Sequence, residues 1–196
     1  GISEYESLRP LPGAETDGRR GTAMCRDRGF EVAGQLIGRV PRQALDDGIR
    51  AFCERAEQRA RAQREMALLV LISSHGMQSS DQDQVFPELL ATDDDGSFGF
   101  DVREHLVSRL NGVRLASGGA LQVVMVFDCC RQNSSNHTWR SAFRLPSLSN
   151  DFYLALARDP GRAARESAGG GRLMTHVLEL LPYAHPITAV LEEAGR

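Results

Sequence analysis

Residues 66–73 read MALLVLIS, and residues 121–127 read LQVVMVF. Both are nearly continuous apolar runs of strand length, as expected of strands covered by helices on both faces. Amphipathic stretches alternate with them. Between positions 42 and 64 the apolar residues fall at Leu45, Ile49, Phe52, Cys53 and Ala56, one stripe of a helix whose other face is charged, with Pro41 just ahead. Shorter helices are expected at 16–26, 101–110 and 172–181, and another after Pro186; further strands are expected at 30–37 and 151–157, with residues 1–3 the end of a strand. The alternation defines an α/β fold, a three-layer α/β/α sandwich whose central sheet is mostly parallel and has about six strands.

At 196 residues the chain can hold one sizeable core, and no compositional break divides it. With 41% apolar and 25% charged residues, disorder and fibrous repeats are excluded. The net charge is -3 and the arginines are scattered among acids, so no phosphate-tracking stripe exists and nucleic acid is not an expected partner. No apolar run approaches the roughly 18 residues that span a bilayer, so no membrane insertion is expected. Cys25, Cys53, Cys129 and Cys130 do not form a secreted disulfide framework, because the adjacent pair could close only a strained vicinal ring. A reducing, cytoplasmic setting is the expectation. The chain opens at Gly1-Ile2-Ser3 without Met, as if an upstream portion had been removed.

Each central run ends in a reactive residue, His75 after the first and Cys130 after the second. In parallel α/β sheets ligands bind outside the carboxyl ends of the strands, so side chains leaving neighbouring strands there face a common cleft. A thiol and an imidazole in that cleft make a nucleophile and a proton-transfer group. Taken singly, a His after a strand is usually a hydrogen-bonded loop residue and a Cys there is usually packing. The combination carries the inference. His105, His137, His176 and His185 show no metal-ligand spacing.

Ser74-His75-Gly76 and Asp128-Cys129-Cys130-Arg131 resemble the two signature motifs of the caspase-like cysteine peptidases, the clan of caspases, metacaspases and paracaspases. His75 also precedes Cys130 by about the interval seen in caspases. The opening GISEYESLRPLPGAETD (1–17) is similar to the metacaspase and paracaspase start, with Asp17 at the head of the first helix, and 151–181 is similar to the small-subunit portion. The resemblance is closest to paracaspases and metacaspases, and Asp128-x-Cys130-Arg131 leans to the former. It implies a caspase-like fold and one peptidase domain over 1–196: a large-subunit-like portion at 1–130, a linker loop at 131–150 and a small-subunit-like portion at 151–196. It implies a Cys130 thiolate that attacks the scissile carbonyl, His75 protonating the leaving amine without a third residue, and an oxyanion site of the Gly76 and Cys130 backbone N–H groups. Register with the family selects Cys130 over Cys129, which reads as a small packed side chain.

The resemblance further implies specificity. Acids at Asp17 and Asp128 clamp the cation of a substrate Arg, with Lys second, and Glu166 is a candidate third acid. Asp17 also reads as a helix N-cap or first-turn acid. Asp81, Asp83 and Asp93 to Asp95 fall where many metacaspases hold an activating calcium, but the dense acidic run is missing and 93–96 satisfies ordinary turn chemistry, so no cofactor is required. The glycines at 169–171 read as a flexible loop. Sequons at Asn133 and Asn136 read as chance matches beside the nucleophile, and Arg140 and Arg144 are potential self-cleavage points. Protein or peptide substrates are the expected partners, with a homodimer on the paracaspase analogy. The alternative is a catalytically silent caspase-like scaffold or regulatory module, and a third reading is a legumain-like hydrolase, which the acids do not suit.

Overall fold

The chain runs β1 (Ile2–Glu4), α1 (Pro12–Asp27), β2 (Gly38–Arg39), α2 (Arg42–Ala62), β3 (Glu65–Ser74), β4 (Gly76–Met77), β5 (Glu88–Leu89) and β6 (Phe100–Asp101). A π-helical turn (Arg103–Val107) then leads into α3 (Ser108–Ala116), followed by β7 (Ala120–Cys129), β8 (Phe152–Leu156), β9 (Glu166–Ser167), β10 (Gly170–Gly171) and α4 (Arg172–Leu180). The structure is a computed structural model that describes residues 1–77, 86–117, 120–130, 152–157, 166–167 and 169–180. The expected helix after Pro186 lies outside them.

β3 and β7 pair in parallel from Glu65↔Ala120 to Ser74↔Cys129, and β8 joins the far side of β7 in parallel from Val123↔Phe152 to Phe127↔Leu156. Period-two alternation sorts the side chains of β7 between two cores. Leu121, Val123, Met125, Phe127 and Cys129 pack with Leu45, Ile49 and Cys53 of α2, with Leu106 of the π-turn and with Leu110 and Val113 of α3. Val124 and Val126 pack on the other face with Leu173, Met174, Val177 and Leu178 of α4. Because both faces are covered, the strand sequences are apolar throughout, and the α/β/α layering expected from the sequence is observed. The central parallel sheet has three strands among the described residues, in the order β3-β7-β8.

α1 approaches the sheet through small residues. Its buried positions are Gly13, Ala14, Asp17 and Gly21, and a Cβ at Gly21 would stand 3.0 Å from Leu71 Cδ1. This close approach carries Asp17 to the end of β3. The helix starts at Pro12, so Asp17 lies in its second turn and is not the N-cap or first-turn acid that the sequence suggested. Pro12, with its φ preset and no amide to satisfy, takes the first helical position instead.

Two further expectations are corrected. Residues 30–37 form no strand; parallel pairing with β1 begins only at Gly38, and 29–37 is separated from β3 by a cavity of about 800 Å³. Val32, Leu36 and Ile37 line that cavity instead of sharing a ladder, so their β propensity has no neighbouring strand to act on. The helix expected at 101–110 begins two residues late, at Arg103, with π geometry, and continues to Ala116. No helix among the described residues is long and apolar enough to cross a membrane.

Candidate active site

The unbroken parallel register of β3 and β7 fixes the central geometry. Its last pair is Ser74↔Cys129, so His75 and Cys130 each stand one residue beyond the end of two adjacent strands. Both are half-buried. The chain following His75 passes tightly along the Cys129–Cys130 backbone: a Cβ at Gly76 would lie 2.7 Å from the Cys130 carbonyl oxygen and 3.0 Å from Cys129 Sγ. Glycine is required there by close approach. Gly76→Ala is expected to push the two strand ends apart and lower kcat on the order of 10²-fold. Steady-state kinetics beside a thermal melt would check this, a folded variant with unchanged kcat being the contrary result.

His75 is held on several sides. Its backbone N–H donates to the Tyr5 hydroxyl at 2.8 Å, its carbonyl accepts from Leu90 N–H at 3.0 Å, and its ring meets the Tyr5 ring with centroids 4.7 Å apart. Nε2 lies 2.9 Å from the Arg9 carbonyl oxygen. A carbonyl only accepts, so Nε2 carries the proton, and in the neutral ring Nδ1 is the basic nitrogen. Burial holds the His75 pKa below the ordinary imidazole value, with the Arg9 carbonyl acting in the opposite sense. The orienting partner is thus a backbone carbonyl, which no side-chain pattern in the sequence announces; Tyr5 could be noticed only as an aromatic in the opening loop.

Among the four cysteines, burial pushes the Cys53 thiol up to about 11 and raises that of Cys25, which disfavours the reactive thiolate at both. Cys129 is only 2% exposed and belongs to the core beneath α2 and α3. Alternation carried one residue further directs Cys130 to the opposite side, the side of Asp128.

The two aspartates share one neighbourhood on that side. Asp17 Oδ2 accepts from Ser73 Oγ at 2.8 Å and from Gly171 N–H at 2.9 Å. Asp128 Oδ2 accepts from Met174 N–H at 2.8 Å, in the first turn of α4, where the helix end leaves amides open and favours an anion. Gly170 and Gly171 lie directly over both carboxylates: a Cβ on Gly170 would fall 2.2 Å from Asp17 Oδ1, and one on Gly171 would fall 2.2 Å from Asp128 Oδ2. Gly170 also has φ +116°, which a side chain rarely permits. These glycines therefore provide close approach in β10, where the sequence suggested a flexible loop. Burial raises the Asp17 pKa, against the lowering effect of its Gly171 and Ser73 hydrogen bonds and of nearby Arg20. Asp17 Oδ1 is buried without a hydrogen-bond partner among the described residues.

Glu166 lies in β9, where the antiparallel register sets it opposite Gly171. Arg131, Asp81, Asp83, the sequons and the linker arginines fall outside the described residues. The acids of 93–95 have structural partners: Asp93 accepts from Arg42 N–H, Asp94 from Ala91 N–H and the Arg42 guanidinium, and Asp95 from Ser97 N–H. No group of three or more His, Cys, Asp or Glu residues suited to a metal occurs among the described residues.

The parallel register thus leaves an imidazole and a thiol just beyond the ends of two adjacent strands. The family model for the caspase domain matches residues 1–194, and the chain belongs to that family. Among solved structures it is similar to caspase-1 from Spodoptera frugiperda, with 18% sequence identity and a TM-score of 0.66 over 98% of this chain and 73% of that one. At that identity the likeness concerns the fold. No curated protein matches the sequence.

Proposed function

We propose that the chain is an endopeptidase that uses Cys130 as nucleophile and His75 as its proton-transfer partner, and that it cleaves after Arg, with Lys second. The observation that carries the reading is the ten-residue parallel register of β3 and β7, which ends one residue short of both groups. His75 Nδ1 takes the Cys130 proton, the thiolate adds to the scissile carbonyl, and the resulting imidazolium protonates the departing amine. Water then hydrolyses the acyl-enzyme. The N–H groups of Gly76 and Cys130 are the proposed donors to the oxyanion.

Specificity rests on the buried acids. A substrate guanidinium supplies the donor that Asp17 Oδ1 lacks among the described residues, and two carboxylates on one side of the sheet favour a cation strongly over an Asp side chain. For that cation to enter, residues 169–171 must withdraw from Asp17 and Asp128. Glu166, set opposite Gly171 on the neighbouring β9, is proposed as a third acid. Asp128-x-Cys130-Arg131 favours the paracaspase branch, and the cysteine pattern favours a cytoplasmic setting.

The decisive assay offers peptides with Arg, Lys, Asp or Asn before the scissile bond, with and without calcium. Cleavage after Arg without added metal is expected. No cleavage of any peptide would indicate the silent scaffold, and cleavage only with calcium would assign the acids after His75 an activating role. The pH dependence follows from His75. Its neutral form accepts the thiol proton, so kcat falls as pH drops through its pKa, and bound Arg keeps Asp17 ionised in the complex. Because burial lowers that pKa, the acid limb of kcat is expected below 6.5, the ordinary imidazole value. A limb above that value would contradict the assignment.

A further inference from the structure

We propose that Tyr5 is a positioning residue for His75: its hydroxyl fixes where the main chain delivers the imidazole, and its ring fixes the imidazole's tilt. The inference rests on the Cys130–His75 reading and adds a residue to it.

Pairing between β3 and β7 ends at Ser74, and the next amide, that of His75, is taken up by Tyr5. The hydroxyl accepts from His75 N–H at 2.8 Å and donates to the Ile2 carbonyl at 3.1 Å, so it ties the end of β3 to β1. The same side chain covers the imidazole, with ring centroids 4.7 Å apart and planes inclined by 57°. Four residues later in the same connection, the Arg9 carbonyl oxygen accepts a hydrogen bond from Nε2–H. One short segment between β1 and α1 thereby holds the main chain, one face and one edge of His75. The consequence is an imidazole whose Nδ1 is confined to one position, whereas a His on a bare strand end would sample several rotamers. The Tyr5 ring is half-buried and packs against the core beneath α2, so its position is itself fixed.

Tyr5→Phe keeps the ring and removes only the tether. We expect kcat to fall roughly tenfold with KM changed by less than about twofold, because the imidazole is misplaced while the substrate pocket is untouched. Tyr5→Leu removes ring and tether together and should lower kcat by roughly another tenfold. Amide hydrogen exchange at His75, read by NMR, is expected to quicken in Tyr5→Phe while the amides of β7 stay protected. Unchanged kcat and unchanged exchange in folded Tyr5→Phe would overturn the proposal, as would a loss shared equally by kcat and the folded fraction. If Tyr5→Leu does not fold, Tyr5→Phe carries the decision. If the wild type cleaves no peptide, the peptidase reading fails, while the exchange measurement still decides whether the tether exists.

Discussion

Cys130→Ala is expected to abolish peptide hydrolysis, with kcat falling on the order of 10⁴-fold or more, whereas Cys129→Ala should retain most of the activity. The two neighbours differ through the strand period. Cys129 is the fifth of the inward series that begins Leu121, Val123, Met125 and Phe127, and it lies in the core with α2 and α3. Its removal takes one small buried group from that core, at about 1 kcal/mol, which a thermal melt would register. Cys130 is half-buried one residue beyond the last strand pair, where the alternation carried on directs it to the side of Asp128. Steady-state assays of both variants check the assignment. Activity that survives Cys130→Ala and disappears in Cys129→Ala would move the nucleophile by one position.

The second large effect concerns the substrate's charge. Asp128→Asn and Asp17→Asn are each expected to lower kcat/KM for an Arg peptide on the order of 10²-fold or more. The matching citrulline peptide, neutral and nearly the same shape, should change little, so the Arg-to-citrulline ratio collapses. Charge reversal at Asp128 should abolish Arg cleavage altogether, because the cation would then meet a like charge where water is excluded. Asparagine keeps an oxygen for Met174 N–H at position 128 and for Gly171 N–H at position 17, so both neutral variants preserve the contacts that hold β10 and α4. A ratio unchanged in both would refute the assignment of these acids to substrate recognition.

The central strands were legible because continuous apolar runs have few alternatives. The stretches at 66–73 and 121–127 appear as Glu65–Ser74 and Ala120–Cys129, one residue longer at each end or slightly more. The stripe of α2 was legible for the same reason, with Leu45, Ile49, Cys53 and Ala56 all buried. What could not be read depends on distant partners. A strand at 30–37 requires a neighbour, and the local sequence cannot say that a cavity stands there. Asp17 sits on an inward helical face made of small residues, a face that looks like a cap region until the start at Pro12 is known. Gly170 and Gly171 resemble linker glycines in sequence, and only contact with two carboxylates shows why side chains are excluded. The Arg9 carbonyl has no signature at all, since every residue has one.

The most direct test of the account is covalent capture: the protein is treated with a peptidyl electrophile bearing Arg at the reactive position, and the modified residue is mapped by mass spectrometry. One adduct on Cys130 is expected, competed by an Arg peptide, diminished by His75→Ala and not formed by the matching Asp electrophile. An adduct on Cys129, or equal labelling by the Arg and Asp reagents, would contradict it.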